Sequence, residues 1–370
     1  MNKSKNKKTA IIVITLAILA VLLGLYLGIP TQKTYVDYDF MGGISLQTII
    51  KTNVLSQSKI GKQIYDTVDR IDKLINPTYI NSDVYRINNS AVGEEIKVDP
   101  ITIELLEYSK SIYELTNGLF TPTVYDLVDL WGFSAGKYSK NAEHVIPNDE
   151  QINAAIEKCR DFPDKILWNK DTNTVKRTTD TKIDLGGIAK GYAVEKCYKV
   201  FAKSDAKNGL VNLGGNVYTF NKDWKVGIEN PYKDMAVENK PNETEHDILG
   251  VVSLNNLSVS CSGVYERNYI VDGKFYHHII NPFTGRPVEL DGENIIMSAV
   301  IGTDGALCDA IATSAILLGS ISLTEEFVNK FLGKEIKGVI LVTKNRGIKV
   351  VGEVDFTFNK DEMTGFEILN

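Results

Sequence analysis

The chain has 370 residues, with 41 Lys and Arg against 47 Asp and Glu, a formal charge of -6, 43% hydrophobic and 24% charged positions. These are globular proportions, long enough for two domains or one large one, and they exclude disorder as a description of the whole. The acidic balance argues against nucleic acid as a partner, which needs a basic footprint. The four cysteines, Cys159, Cys197, Cys261 and Cys308, form no CxxC pair for a zinc knuckle or a dithiol centre.

Residues 1–9 carry Lys3, Lys5, Lys7 and Lys8 without an acid and read as a basic cytoplasmic tail. Residues 10–29 are apolar except at Thr15, Gly24, Tyr26 and Gly28. About 20 residues at about 1.5 Å each span a hydrocarbon core, so this run predicts a transmembrane anchor or signal. Its length and lack of a small-residue exit site favour an uncleaved anchor. The leading lysines then predict a single-pass protein of the cell membrane with its remainder on the extracytoplasmic side. Residues 30–34 read as a linker, and residues 35–370 as the folded domain.

Alternation at Ile44, Leu46, Thr48 and Ile50 predicts a strand. Ile60, Ile64, Val68, Ile71 and Ile75 recur at helical spacing. Asp99-Pro100, apolar periodicity to Leu115 and Gly118 punctuate a helix at both ends. A further helix is expected over 148–160. Strands are expected over 166–168, 174–178, 209–213, 224–228, 248–254, 257–261, 268–271 and 274–279. Ser322 with Glu325 forms a capping-box pattern, and residues 338–351 read as a hairpin around Asn345-Arg346-Gly347. The polar stretch 232–247 reads as an exposed loop. Helices and strands mix without strict alternation, which predicts an α+β fold with a mixed sheet and flanking helices.

Five stretches could carry chemistry, and each alone also reads as ordinary packing. Asp184-Leu185-Gly186-Gly187-Ile188-Ala189-Lys190 reads as a double-glycine turn between a strand-like 181–183 and a helix over 189–203. Its backbone N–H groups and Lys190 could meet a phosphate. Gly214-Gly215 follows another strand, as a close approach or a hairpin. Asp309 and Thr313 lie four apart on an apolar helix that ends at Gly319; both offer the hard oxygen that Mg²⁺ takes. A buried, unpaired Asp309 would be costly, which favours a ligand role. His277 and His278 point to opposite faces of a strand and cannot easily share a metal; one is a candidate acid or base. The loop from Gly118 through Trp131-Gly132-Phe133 could stack on a planar ring or fill the core.

Taken in order, these stretches resemble the ApbE family, the FAD:protein FMN transferases. The resemblance rests on Phe40-Met41-Gly42, Gly118 to Val124, Asp129 to Phe133, Ile183 to Lys196, Leu210 to Asn216, Trp224 to Pro231, Ser262 to Arg267, Tyr276 to Val288 and Asp304 to Thr313. It implies a T-fold-related domain that uses Mg²⁺ to split FAD, its substrate, and attaches FMN to a Thr or Ser hydroxyl of an exported acceptor flavoprotein, releasing AMP. A Mg²⁺-dependent FAD hydrolase and a non-catalytic flavin-binding protein are the alternatives. The resemblance places Met41, Leu119, Phe120, Thr121, Asp184, Lys190 and Ile280 at FAD, with Gly186 and Gly187 as backbone donors. It gives Mg²⁺ to the Ala189 carbonyl, Asp309 and Thr313, and makes His278 the candidate base. Three positions depart from the family pattern: Gly43 replaces a usual Thr, Thr121 a common Asp, and Tyr79 is one place off.

Overall fold

The computed structural model describes residues 2–140, 142–233 and 247–369. Among these, a nine-stranded sheet runs in the spatial order Pro30–Phe40, Ile44–Asn53, Asn208–Leu213, Asn216–Phe220, Ser258–Gly263, Ile295–Gly302, Ile336–Thr343, Gly347–Gly352 and Glu367–Ile368. Every neighbouring pair is antiparallel except the last, so hairpins and longer returns build the sheet. The helices Val54–Ile75, Gly186–Ala202 and Gly305–Leu318 pack against it and against one another. Leu46, Ile50, Val211, Ile188 and Ile311 are fully buried in this main core. A smaller core joins Leu127, Trp131, Phe133, Ile152, Tyr269 and Ile280. Trp131 ties it together, its Nε1 donating to the Gly285 carbonyl at 2.7 Å.

Apolar periodicity and caps place most elements where expected. Asp99 caps the Pro100–Leu115 helix by accepting from Ile101 N, and Asn148 forms a full capping box with Gln151. Several local expectations change. Residues 30–34 are not a linker: Pro30 pairs with Asn53 at the start of an edge strand. Residues 181–183 form no strand; instead the Asn88 side chain bonds both the N–H and the carbonyl of Ile183, at 2.8 and 2.9 Å. Gly186 and Gly187 are not a turn before the helix but its first residues, and Leu185 stands at the cap. The cap of the Ile321–Asn329 helix is Ser320, two residues before the predicted Ser322. The strand expected to reach residue 279 stops at His277, because Ile280–Asn281 pairs with Arg286–Pro287 in its own hairpin. The aromatic loop after Gly118 contains two short helical segments, Pro122–Val124 and Tyr125–Leu130.

Asn2–Gly28 forms a helix, and its described side chains from 11 to 24 are all exposed. No helix among the described residues is long and apolar enough to cross a membrane. The predicted span 10–29 lies partly outside the described side chains, at Ala10 and residues 25–27, as does most of the basic tail. Most of the predicted loop, residues 234–246, lies outside the described residues. All four cysteines are free thiols.

Candidate active site

The site begins where two helices touch backbone to backbone. A Cβ on Gly191 would lie 2.0 Å from the Gly305 carbonyl oxygen, and one on Gly305 would lie 2.4 Å from that of Gly191. Only glycine at both positions permits this crossing. It brings Asp309 against the Gly186–Ala202 helix, where its Oδ2 accepts from Gly191 N at 2.9 Å. Asp309 is wholly buried, and its Oδ1 has no hydrogen-bond partner; the Lys190 ammonium stands 3.9 Å from that atom. One helical turn on, Thr313 Oγ1 lies 3.2 Å from Ser262 Oγ.

An orphaned carboxylate oxygen, sealed from water, is an expensive arrangement in a core. With a threonine hydroxyl one turn away and the buried Ala189 next to Lys190, it offers hard oxygen donors that fit Mg²⁺.

Above this floor opens a cavity of about 1140 Å³. Met41, Leu119, Phe120, Thr121, Asp184 and Ile280 line it, as do Gly186, Gly187, Lys190, Thr313 and His278. Ala189 and Asp309 lie behind that lining rather than in it. Asp184 shapes the wall: its N–H donates to the Pro122 carbonyl and its Oδ1 accepts from Gly186 N, both at 2.7 Å. The Gly186 N–H, expected to face a phosphate, is therefore already taken. Gly187 leaves a cradle, since a Cβ there would sit 3.3 Å from Phe120 and 4.0 Å from Thr313 Oγ1. The second double glycine, Gly214-Gly215, is a hairpin tip that also lines the cavity.

The two histidines separate cleanly. His277 is fully buried; its Nε2 reaches the Val288 carbonyl at 2.9 Å and its Nδ1 accepts from Ile279 N at 3.3 Å. That fixes the tautomer, and burial holds the ring neutral, down to about 4. His278 faces the cavity edge-on to Phe133, and its Nδ1 has no partner. Burial, then His277 and the charges of Arg267 and Lys190, push it down to about 3. At neutral pH it is an uncharged ring with a free nitrogen.

Glu266 and Arg267 entered the sequence reading only within the Ser262 to Arg267 motif, with no role of their own, and Asp72 was passed over; all three are in the cavity lining. Glu266 meets solvent on the cavity side; the protein around it raises its carboxyl to about 7, against the pull of Lys190. Arg267 donates to the Phe133 carbonyl at 3.1 Å. Asp72 interrupts the buried stripe of its helix beside Val68, Ile71 and Ile75, a signal present in the periodicity.

The sequence profile of the ApbE family matches residues 43–334. The chain belongs to the ApbE family. The FAD:protein FMN transferase of Klebsiella pneumoniae is 27% identical over 292 residues, 78% of this chain and 84% of that protein. The protein of the same name from Escherichia coli is 27% identical over 320 residues, 85% of each. Among solved structures, the ApbE protein of Thermotoga maritima superposes with a TM-score of 0.70 at 27% identity, covering 90% of this chain and all of that one. The flavinyl transferase ApbE of Pseudomonas stutzeri shares the fold, with a TM-score of 0.70 at 20% identity over 91% of this chain and 98% of that one. The mixed α+β architecture is thus that of ApbE proteins.

Proposed function

We propose that this ApbE-family transferase splits FAD and attaches FMN to a Thr or Ser hydroxyl of an exported flavoprotein, with AMP leaving. The observation that carries this reading is the buried, unpartnered Asp309 oxygen beneath a cavity edged by Lys190 and a neutral His278.

The acceptor hydroxyl forms a bond to the FMN phosphorus while the bond from that phosphorus to the AMP oxygen breaks. His278, uncharged and in the cavity lining, accepts the hydroxyl proton. Lys190, held beside Asp309, brings positive charge to the diphosphate as it separates. Asp184 and Gly187 keep the first turn of the helix open and shaped for the ligand. Mg²⁺, held by the Ala189 carbonyl, Asp309 and Thr313, would neutralise charge on the phosphates.

The exposed apolar side chains of residues 11–24, behind a lysine-rich start, support a single-pass anchor with the domain on the extracytoplasmic side.

The test is incubation of the full chain with FAD, Mg²⁺ and an exported flavoprotein domain. The expected result is covalent fluorescent flavin on the acceptor, with a mass gain equal to an FMN moiety. AMP release without acceptor labelling would replace this reading by FAD hydrolysis. Intact FAD and an unlabelled acceptor would overturn it.

A further inference from the structure

The helix crossing beneath the cavity is built twice from one pattern. Gly191-Tyr192-Ala193-Val194-Glu195 lies on one helix and Gly305-Ala306-Leu307-Cys308-Asp309 on the other: a glycine, three residues, an acid. A spacing of four puts each acid on the face of its own glycine, one turn along. The two glycines meet, and each acid reaches across to the glycine of the other helix. Asp309 Oδ2 accepts from Gly191 N at 2.9 Å, and Glu195 Oε2 accepts from Gly305 N at 3.2 Å. The packing matches as well: a Cβ on Gly191 would lie 2.7 Å from Asp309 Cβ, and one on Gly305 3.2 Å from Glu195 Cβ.

Both acids are buried, and they differ in what the second oxygen does. The Lys199 ammonium, one turn further along the same helix, donates to Glu195 Oε1 at 2.6 Å. Asp309 Oδ1 has no hydrogen-bond partner. Gly305 is the first residue of its helix, so that helix holds no acceptor for its N–H. Asp304, the cap, takes Leu307 N at 2.9 Å instead. Glu195 supplies the missing acceptor from the helix that carries Ala189 and Lys190. The bond ties the start of one helix to the other, one turn before Asp309.

We infer that Glu195 is a positioning residue: by accepting the Gly305 N–H it holds the Asp309 helix in the register that sets the Asp309 carboxylate on Gly191 and beside Lys190, where Mg²⁺ would bind. This rests on the reading of Asp309 and Thr313 as a metal site. Glu195 lies outside the cavity lining and its free oxygen is closed by Lys199, so its loss is felt in metal affinity and not in the chemical step.

The experiment measures Mg²⁺ binding by calorimetry, and KM for Mg²⁺ and kcat for flavin transfer, in the full chain and in Glu195→Ala and Glu195→Gln. Glu195→Ala is expected to weaken Mg²⁺ binding about tenfold and to raise KM for Mg²⁺ with it, the scale of effect seen when support behind a metal ligand is lost. At saturating Mg²⁺ its kcat is expected to stay within about twofold. Glu195→Gln, which keeps an oxygen for the Gly305 N–H, is expected to bind Mg²⁺ within about threefold of the native chain. If Glu195→Ala does not fold, Glu195→Met fills the same space without an acceptor and takes its place. Unchanged Mg²⁺ affinity in the Ala or Met variant, a fall in kcat at constant affinity, or a Gln variant as weak as Ala would overturn the inference alone. Failure of the native chain to bind Mg²⁺ would overturn the metal reading of Asp309, and this inference with it.

Discussion

Where the Gly186–Ala202 and Gly305–Leu318 helices cross, backbone meets backbone and every atom around Asp309 is fixed by core packing. The opposite wall, which carries His278, is a patchwork of two-residue and four-residue strands. Stacked rings hold it together: Phe133 lies on Tyr269 with centroids 4.9 Å apart, and Tyr269 lies on His144 at 3.7 Å. The first wall is rigid because glycine removes the spacer between two helices; the second is held by aromatic contact and a few backbone bonds. One therefore builds a fixed charge site at high cost in burial, and the other presents a neutral ring in the cavity lining. In the proposed reaction, charge neutralisation falls to the helix side and proton handling to the aromatic side.

That division can be broken from either wall. Asp309→Ala should remove the helix-side site altogether, lowering kcat for flavin transfer by about 10³-fold or more. Thermal melting should show the fold retained with some loss of stability, since the buried Gly191 N–H loses its Oδ2 acceptor. His278→Ala should lower kcat by about 10²-fold or more with little change in stability, which transfer assays alongside melting curves will read. His277→Gln should do the reverse, keeping most of kcat and lowering stability, because its ring is bonded within the core. Equal kinetic losses at the two histidines would erase the distinction between them.

Two smaller effects sharpen the comparison. Gly191→Ala forces a Cβ to 2.0 Å from the Gly305 carbonyl oxygen, so the helices must part. It should cost about 1–3 kcal/mol in denaturant unfolding and reduce turnover with it. The pH dependence of stability should carry a signature of His277. Its folded pKa of about 4 lies below the ordinary 6.5, so between those values the unfolded chain binds the extra proton. Stability is then fully present above about pH 6.5 and falls as the pH drops toward 4, by on the order of 3 kcal/mol from this residue. Urea midpoints at neutral pH and near pH 4 should therefore show a shallower pH slope in His277→Gln than in the native chain.

Much of the fold was legible from local pattern alone. The apolar stripe of residues 60–75, the Asp99-Pro100 start and Gly319 end of helices, and the alternation along residues 44–50 all report interactions between near neighbours. Motif order was enough for family membership, and it named several residues that line the cavity, while Ala189 and Asp309 lie behind the lining and Asp72 in it went unnamed. Tertiary structure alone decided three things. It showed that Gly191 and Gly305 exist for a helix crossing, because their partners are more than a hundred residues apart in the chain. It showed that His277 meets the core and His278 the cavity, since a strand's alternation separates two faces but does not say where each one points. It brought Asp72 into the same cavity lining as Met41 and Gly42, a placement that no local periodicity encodes. The sequence carries the short-range terms of the energy plainly, while these contacts form only when distant segments are brought together by burial of the core.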